Sequence, residues 1–192
     1  NEFVLVNVST PSAPTQIGSM DLGANGNEVV ASGNFAYVAS AHDSREVQVV
    51  NIATPSAPSL AGSLNLSGTV DATTVSLSGT TLLVGQGSTL FMVAVSTPSS
   101  PSVLGSVSVS DTLNDIALTF GNSNTRAFVA TSSNTAEFQV VDISVPSSPS
   151  IVGSVDVAGN TDLLGVAYSE TLDRAFGVSA SNTEEFIVFA PQ

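Results

Sequence analysis

The chain has 192 residues, 42% of them apolar and 10% charged, with sixteen acids set against three arginines, one histidine and no cysteine, for a net charge of −13. That apolar content excludes a disordered chain. The negative charge disfavours binding to nucleic acid or anionic lipid, and the lack of cysteine rules out disulfides and thiolate metal sites. No apolar run approaches the roughly 18 residues that cross a bilayer, so no membrane insertion is expected of this segment.

In chain order, the first element is "FVLVNVS" from Phe3, apolar on both faces, as a strand covered on both sides must be. It leads into "STPSAPTQIGSMDL" (Ser9 to Leu22), where a proline pair precedes a segment with alternating polarity. Next come "EVVASG" from Glu28 and, after a tight turn, "FAYVAS" from Phe35. The same four elements then recur. The two-faced run returns as "VQVVNIA" (Val47), "LFMVAVS" (Leu90) and "FQVVDIS" (Phe138). The proline segment returns as "ATPSAPSLAGSLNL" (Ala53), "STPSSPSVLGSVSV" (Ser96) and "SVPSSPSIVGSVDV" (Ser144). Between them stand "TVSLSG" with "LLVGQ", "DIALTFG" with "RAFVAT", and "GVAYSE" with "RAFGVS". The last element is "EFIVFAPQ", Glu185 to Gln192, another two-faced run.

With the strands of one unit lettered A to D, the chain reads CD, ABCD, ABCD, ABCD, ABC. The unit boundaries fall near 1–27, 28–70, 71–113, 114–161 and 162–192. Aligned on Gly18, Gly62, Gly105 and Gly153, the period is 43 to 48 residues, in the range of propeller blades. Small sheets that are apolar on both faces must stack, and radial stacking is the β-propeller solution. The expected fold is therefore all-β: a single propeller domain of about four blades of four antiparallel strands, starting and ending in the third strand of a blade. Proline cannot donate to a ladder, so each pair stops strand C. In strand D of the second unit, strict alternation places Leu60, Gly62, Leu64 and Leu66 on one face and Ala61, Ser63 and Asn65 on the other.

"FQVVDISVPSSPSIVGSVDV" (Phe138 to Val157), with its relatives along the whole chain, resembles the LVIVD repeat; "LFMVAVS" departs most, with Ala94 at the usual Asp or Asn position. The resemblance implies a β-propeller of an exported, often cell-surface, bacterial or archaeal protein, and it brings no catalytic motif. Asn1 is not a translation start, so processing or further chain upstream is expected. Asn7 and Asn65 begin sequons for glycosylation in a suitable host.

Strand C occurs once more than four closed blades need. Three readings stay open: an arc of a longer propeller, four closed blades with one terminal strand displaced, or a strand paired with a neighbouring subunit.

Eleven of the sixteen acids fall in the D–A and B–C loops: Glu28, Asp71, Asp111, Asp115 and Asp162, with Glu2, Asp43, Glu46, Glu137, Glu184 and Glu185. An acidic face is expected, serving solubility or, alternatively, binding a ligand or calcium. Asp111, Asn114 and Asp115, with Glu28, are the candidate oxygen ligands, the type calcium takes; no other cofactor is expected. His42 beside Asp43 is read as a solvated loop pair, since no nucleophile motif accompanies it. "SNTAEF" and "SNTEEF" are read as duplicated turns that send Phe138 and Phe186 into the core, with Arg126 and Arg174 beside nearby acids. No activated nucleophile or carboxylate pair is identifiable, so no enzymatic activity is expected. The function expected is that of an extracellular structural or adhesive module. Its partners would be other protein chains, copies of itself among them, as in a filament joined by terminal strands.

Overall fold

The computed structural model describes residues 1–119, 125–157, 159 and 161–190. The ends of "DIALTFG" (Phe120, Gly121) and of "EFIVFAPQ" (Pro191, Gln192) lie outside these residues. Among the described residues every regular element is a strand, and the strands form five antiparallel sheets.

The first sheet pairs β1 (Phe3–Asn7) with β2 (Thr15–Met20). The second runs β3 (Gly26–Ser32), β4 (Phe35–Ser40), β5 (Val47–Asn51), β6 (Ser59–Leu64). The third runs β7 (Ala72–Ser78), β8 (Thr81–Gln86), β9 (Thr89–Ala94), β10 (Ser102–Ser108). The fourth runs β11 (Leu113–Leu118), β12 (Arg126–Thr131), β13 (Phe138–Asp142), β14 (Ser150–Val155). The last has β15 (Leu163–Ser169), β16 (Arg174–Ser179) and β17 (Phe186–Phe189). The strand order CD, ABCD, ABCD, ABCD, ABC thus stands, but only three of the five sheets have four strands and no sheet closes on itself. The arrangement is propeller-like rather than four closed blades.

Each apolar cluster lies between two sheets that are neighbours in sequence. Phe3, Leu22, Ala36, Val38 and Val50 join the first sheet to the second. Val49, Val75, Leu82 and Phe91 join the second to the third, while Leu83, Met92, Ile116 and Val141 join the third to the fourth. Ala130, Phe138, Leu163 and Val166 join the fourth to the last. Leu82 and Leu83, consecutive and fully buried, face opposite clusters. In strand C, Val49 and Val50 do the same, and a central strand packed on both sides has no polar face, so the two-faced runs are explained; truncating Leu82 or Leu83 to alanine removes about 2–5 kcal/mol.

The proline segments are turns of one type. The carbonyls of Thr10, Thr54, Thr97 and Val145 each accept from the N–H three residues on, at 2.8–2.9 Å, with Pro11, Pro55, Pro98 and Pro146 at the second turn position. Proline's fixed φ suits that position. Strand C ends in a side-chain cap: Oδ1 of Asn7, Asn51 and Asp142 accepts from the N–H two residues later, at 2.9 Å in each case. The Ser144 contact holds the Asp142 carboxyl below its ordinary range.

Strand D does not alternate strictly. One extra residue (Ile17, Ala61, Leu104 or Val152) precedes each motif glycine, so the register shifts there. Leu60 is therefore exposed while Ala61 and Leu64 pack inward, against the sequence expectation. The glycines mark close approach of the next sheet. A Cβ on Gly18, Gly62 or Gly105 would lie 2.0, 2.3 or 2.7 Å from the carbonyl oxygen of Pro55, Pro98 or Pro146. Each turn thus seats on strand D of the sheet before it. Among the described residues nothing lies within 4 Å of a Cβ on Gly153.

Candidate functional site

The innermost strands carry the first candidate. Strand A begins two residues before the sequence pattern suggests, and Asn27, Thr73, Asn114 and Leu164 are bulged residues there. A bulge re-aims its side chain. Asn27 Nδ2 donates to the Ala72 carbonyl at 2.7 Å, Thr73 Oγ1 to Leu113 at 2.9 Å, and Asn114 Nδ2 to Leu163 at 2.8 Å. The next residue answers with an acceptor: Glu28 Oε2 takes the Val75 N–H at 2.8 Å, and Asp115 Oδ2 takes that of Val166 at 2.8 Å. Asp115 Oδ1 also takes the N–H of Ile116. Thr74 stands at the same position with a buried Oγ1 that finds no partner. These contacts form a belt from sheet to sheet, each charge-assisted bond contributing about 1.5–3 kcal/mol.

A second row of acids precedes strand C. Oε2 of Glu2, Glu46 and Glu137 accepts from the N–H of Leu22, Leu66 and Val157 at 3.0, 2.9 and 2.7 Å. Glu46 and Glu137 are buried. In the third sheet Ser88 replaces the acid, and its backbone carbonyl accepts from Val109.

These geometries correct the expected acidic face. Six of its eleven acids, Glu2, Glu28, Glu46, Asp111, Asp115 and Glu137, bind backbone N–H groups of the same molecule, and two are inside it. Around the candidate ligands Glu28, Asp111, Asn114 and Asp115, as elsewhere among the described residues, no group of three or more acids or histidines forms that could hold a metal ion. Asp111 caps the N–H of Thr112 locally. Asn114 also donates to Ser132 Oγ, besides its bond to the Leu163 carbonyl. His42 accepts at Nε2 from Arg45 at 3.1 Å, and that guanidinium also reaches the Leu22 carbonyl. Arg174 turns to the carbonyls of Leu172 and Asp173 rather than to an acid side chain.

The second candidate is apolar, and the sequence reading missed it. Phe186 is 64% exposed, against expectation, because among the described residues no sheet covers the outer face of β17. Leu164, Val178 and Val188 are exposed on the same face, and Phe176 stacks on Phe186 at 5.9 Å. Behind this sheet a cavity of about 280 Å³ is lined by Phe128, Phe138, Tyr168 and Phe189, with Arg126 at its edge. Phe138 and Phe189 stack there at 3.9 Å. Tyr168 donates to Asp173 Oδ1 at 2.8 Å, which raises its phenol above the ordinary range. At the other end of the stack Val4, Val6 and Val29 are exposed.

A family model described as LVIVD repeat matches residues 1–22, 24–66, 70–109 and 126–157. No curated protein matches. Among solved structures, the chain is similar to a crystal structure of a protein from Lactobacillus plantarum, a structural genomics target, with a TM-score of 0.79 and 12% identity. The match covers 98% of this chain and 60% of that one, so the chain spans three-fifths of its length.

Proposed function

The chain belongs to the LVIVD repeat family, and from that premise we propose that it is a non-enzymatic, extracellular interaction module, a structural or adhesive part of a cell-surface protein or appendage. One observation carries the reading. The polar side chains that could do chemistry are bound to backbone within the stack, as Glu28, Asn114, Asp115 and Glu137 are, while apolar groups such as Phe186 face solvent. A contiguous exposed apolar face is the signature of a surface that binds another protein.

Protease shaving of intact source cells tests the setting, and beads carrying the chain test the interaction. Peptides of the chain released without lysis, and a surface protein held by the beads but not by a Phe186→Asp variant, are expected. A chain protected until lysis, or equal retention by both bead types, overturns the reading. The alternative, calcium or ligand binding on the loop face, has less to stand on because its carboxylates are engaged; calorimetric titration with calcium is expected to give no heat.

A further inference from the structure

The four proline turns present the same chemistry in each unit. They read "TPSAPT" from Thr10, "TPSAPS" from Thr54, "TPSSPS" from Thr97 and "VPSSPS" from Val145. Only the two prolines and the serine after the first of them (Ser12, Ser56, Ser99, Ser147) are the same in all four. A second hydroxyl follows the second proline, at Thr15, Ser59, Ser102 and Ser150, and all eight of these residues are exposed. The bond that closes each turn runs from backbone N–H to backbone carbonyl, and proline fixes φ, so the turn does not draw on the serine hydroxyl. At the next position, where the fold makes no use of a hydroxyl either, alanine and serine interchange: Ala13, Ala57, Ser100, Ser148. The serine after the first proline does not.

An independent feature surrounds these serines. Ile17, Leu60, Val103, Leu104, Ile151 and Val152, on the outermost strands β2, β6, β10 and β14, are 38–51% exposed. Pro55, just before Ser56, lies against Gly18, beside Ile17; the Ser99 backbone lies against Gly62, beside Leu60; that of Ser147 lies against Gly105, beside Leu104. Each of these turns therefore offers its hydroxyl next to aliphatic surface of the sheet before it. No charged residue occurs in 9–20, 53–66, 96–109 or 144–155, in a chain with sixteen acids. The rim has aliphatic groups and hydroxyls but no charge to hydrate it. The pattern is complete in β6 and β10, whose sheets have a described sheet packed on either side.

We propose that Ser12, Ser56, Ser99 and Ser147 are acceptors of O-linked neutral sugar. Serine and threonine interspersed with proline are the composition of O-glycosylated surfaces. A sugar there supplies the hydration that the rim's missing charges would, and its C–H face covers Ile17, Leu60 and Leu104. In the transfer, serine Oγ attacks the anomeric carbon of a sugar diphosphate ester. The bond from that carbon to the phosphate oxygen breaks, the diphosphate leaves with the electron pair, and the serine proton passes to a base of the transferase. Phosphate is the poorer occupant: it would add to a net charge of −13, and none of the four segments holds a cation to pair with it.

The inference rests on the reading of the chain as an extracellular module. Its test takes the whole protein that carries this chain, purified from its source cells, denatured and cut with trypsin. Cleavage after Arg45, Arg126 and Arg174 gives peptide 46–126, with Ser56 and Ser99, and peptide 127–174, with Ser147. Both are expected to be heavier than their sequences by whole sugar residues, the larger addition falling on 46–126. Alkaline β-elimination, which leaves any sugar on Asn65 in place, is expected to remove the addition and leave dehydroalanine at Ser56, Ser99 and Ser147, marked by sulfite. Ser99→Ala, made in the source cells, is expected to lose part of the addition on 46–126, keep that on 127–174, and leave the circular dichroism unchanged. Peptides at their sequence masses, an addition that proves to be phosphate, or sugar on other serines with these three bare overturns the proposal. Peptides that protease shaving releases from intact cells without sugar overturn it while leaving the extracellular setting in place; a chain protected until lysis overturns both.

Discussion

The fourth sheet and the last carry nearly the same words: "RAFVAT" and "RAFGVS" in the second strand, "SNTAEF" and "SNTEEF" before the third. Locally they fold alike. Ser133 Oγ accepts from the N–H groups of Thr135 and Ala136, and Ser181 Oγ from those of Thr183 and Glu184, at 3.1–3.2 Å. Yet Phe138 is 4% exposed and Phe186, at the same position, 64%. Turn and strand are written within the repeat; burial is written in whether another repeat follows. In a stack whose units touch only their neighbours, stability is a sum of unit and interface contributions. The two sheets differ in the second while sharing the first.

The motif glycines give the comparison its hardest test. Gly62→Val sets a branched side chain against the Pro98 carbonyl, 2.3 Å from its Cβ and part of the backbone, which cannot rotate away. Overpacking of this kind costs about 1–3 kcal/mol, and the upper end is expected here. Gly153→Val in the last interface is expected within about 0.5 kcal/mol of the parent. Urea midpoints of the two variants decide it. Equal losses would mean that the glycines serve the strand itself rather than the neighbour's approach.

The acids that precede strand C come next. Glu46→Ala leaves the Leu66 N–H without its acceptor inside the molecule, at about 1–3 kcal/mol. Glu185→Ala, for which the described residues offer no fourth-strand N–H, is expected to change stability by less than about 0.5 kcal/mol. Glu46→Gln keeps an acceptor and should recover most of the loss. The neutral bonds of the belt along the inner strands are weaker still. Asn114→Ala removes the inter-sheet bond to the Leu163 carbonyl, about 1 kcal/mol, along with the contact to Ser132 Oγ within its own sheet, and faster amide exchange in β15 than in β7 should report it. Leu164→Asn, which restores the belt's side chain where no sheet follows, should change neither.

Period and polarity were enough to read strand order, the two-faced burial of strand C and the proline stops, because each depends on residues within one repeat. The acids were misjudged for a physical reason. Glu46 and Glu137 look like loop carboxylates by position, and only the fold brings the N–H groups of Leu66 and Val157, twenty residues away, against them. The bulges at Asn27, Thr73 and Asn114 escaped for a similar reason: a polar residue before an apolar run reads as a loop, whereas its bond goes to the next sheet, 40 to 49 residues on. Phe186 read as core because its twin, Phe138, is core.

The smallest effect concerns an interior sheet that departs from its neighbours. Strand C ends in an acceptor at Asn7, Asn51 and Asp142, each bonded to the N–H two residues later. In the third sheet the position is Ala94, which has nothing to offer Ser96. The turn there still forms, with Ser100 donating to the Thr97 carbonyl at 2.9 Å, so the backbone already holds the shape the cap requires. Ala94→Asn should therefore gain about 0.5–1 kcal/mol, the worth of one added hydrogen bond with little ordering left to oppose it. Asparagine is the better choice than aspartate in a chain of net charge −13, where another carboxylate adds repulsion. A rise in melting temperature for Ala94→Asn, with a smaller rise for Ala94→Asp that added salt narrows, separates the bond from the charge. No rise for either would mean that the proline turn alone ends the strand, and that the acceptors at Asn7, Asn51 and Asp142 contribute to stability only through their own local geometry.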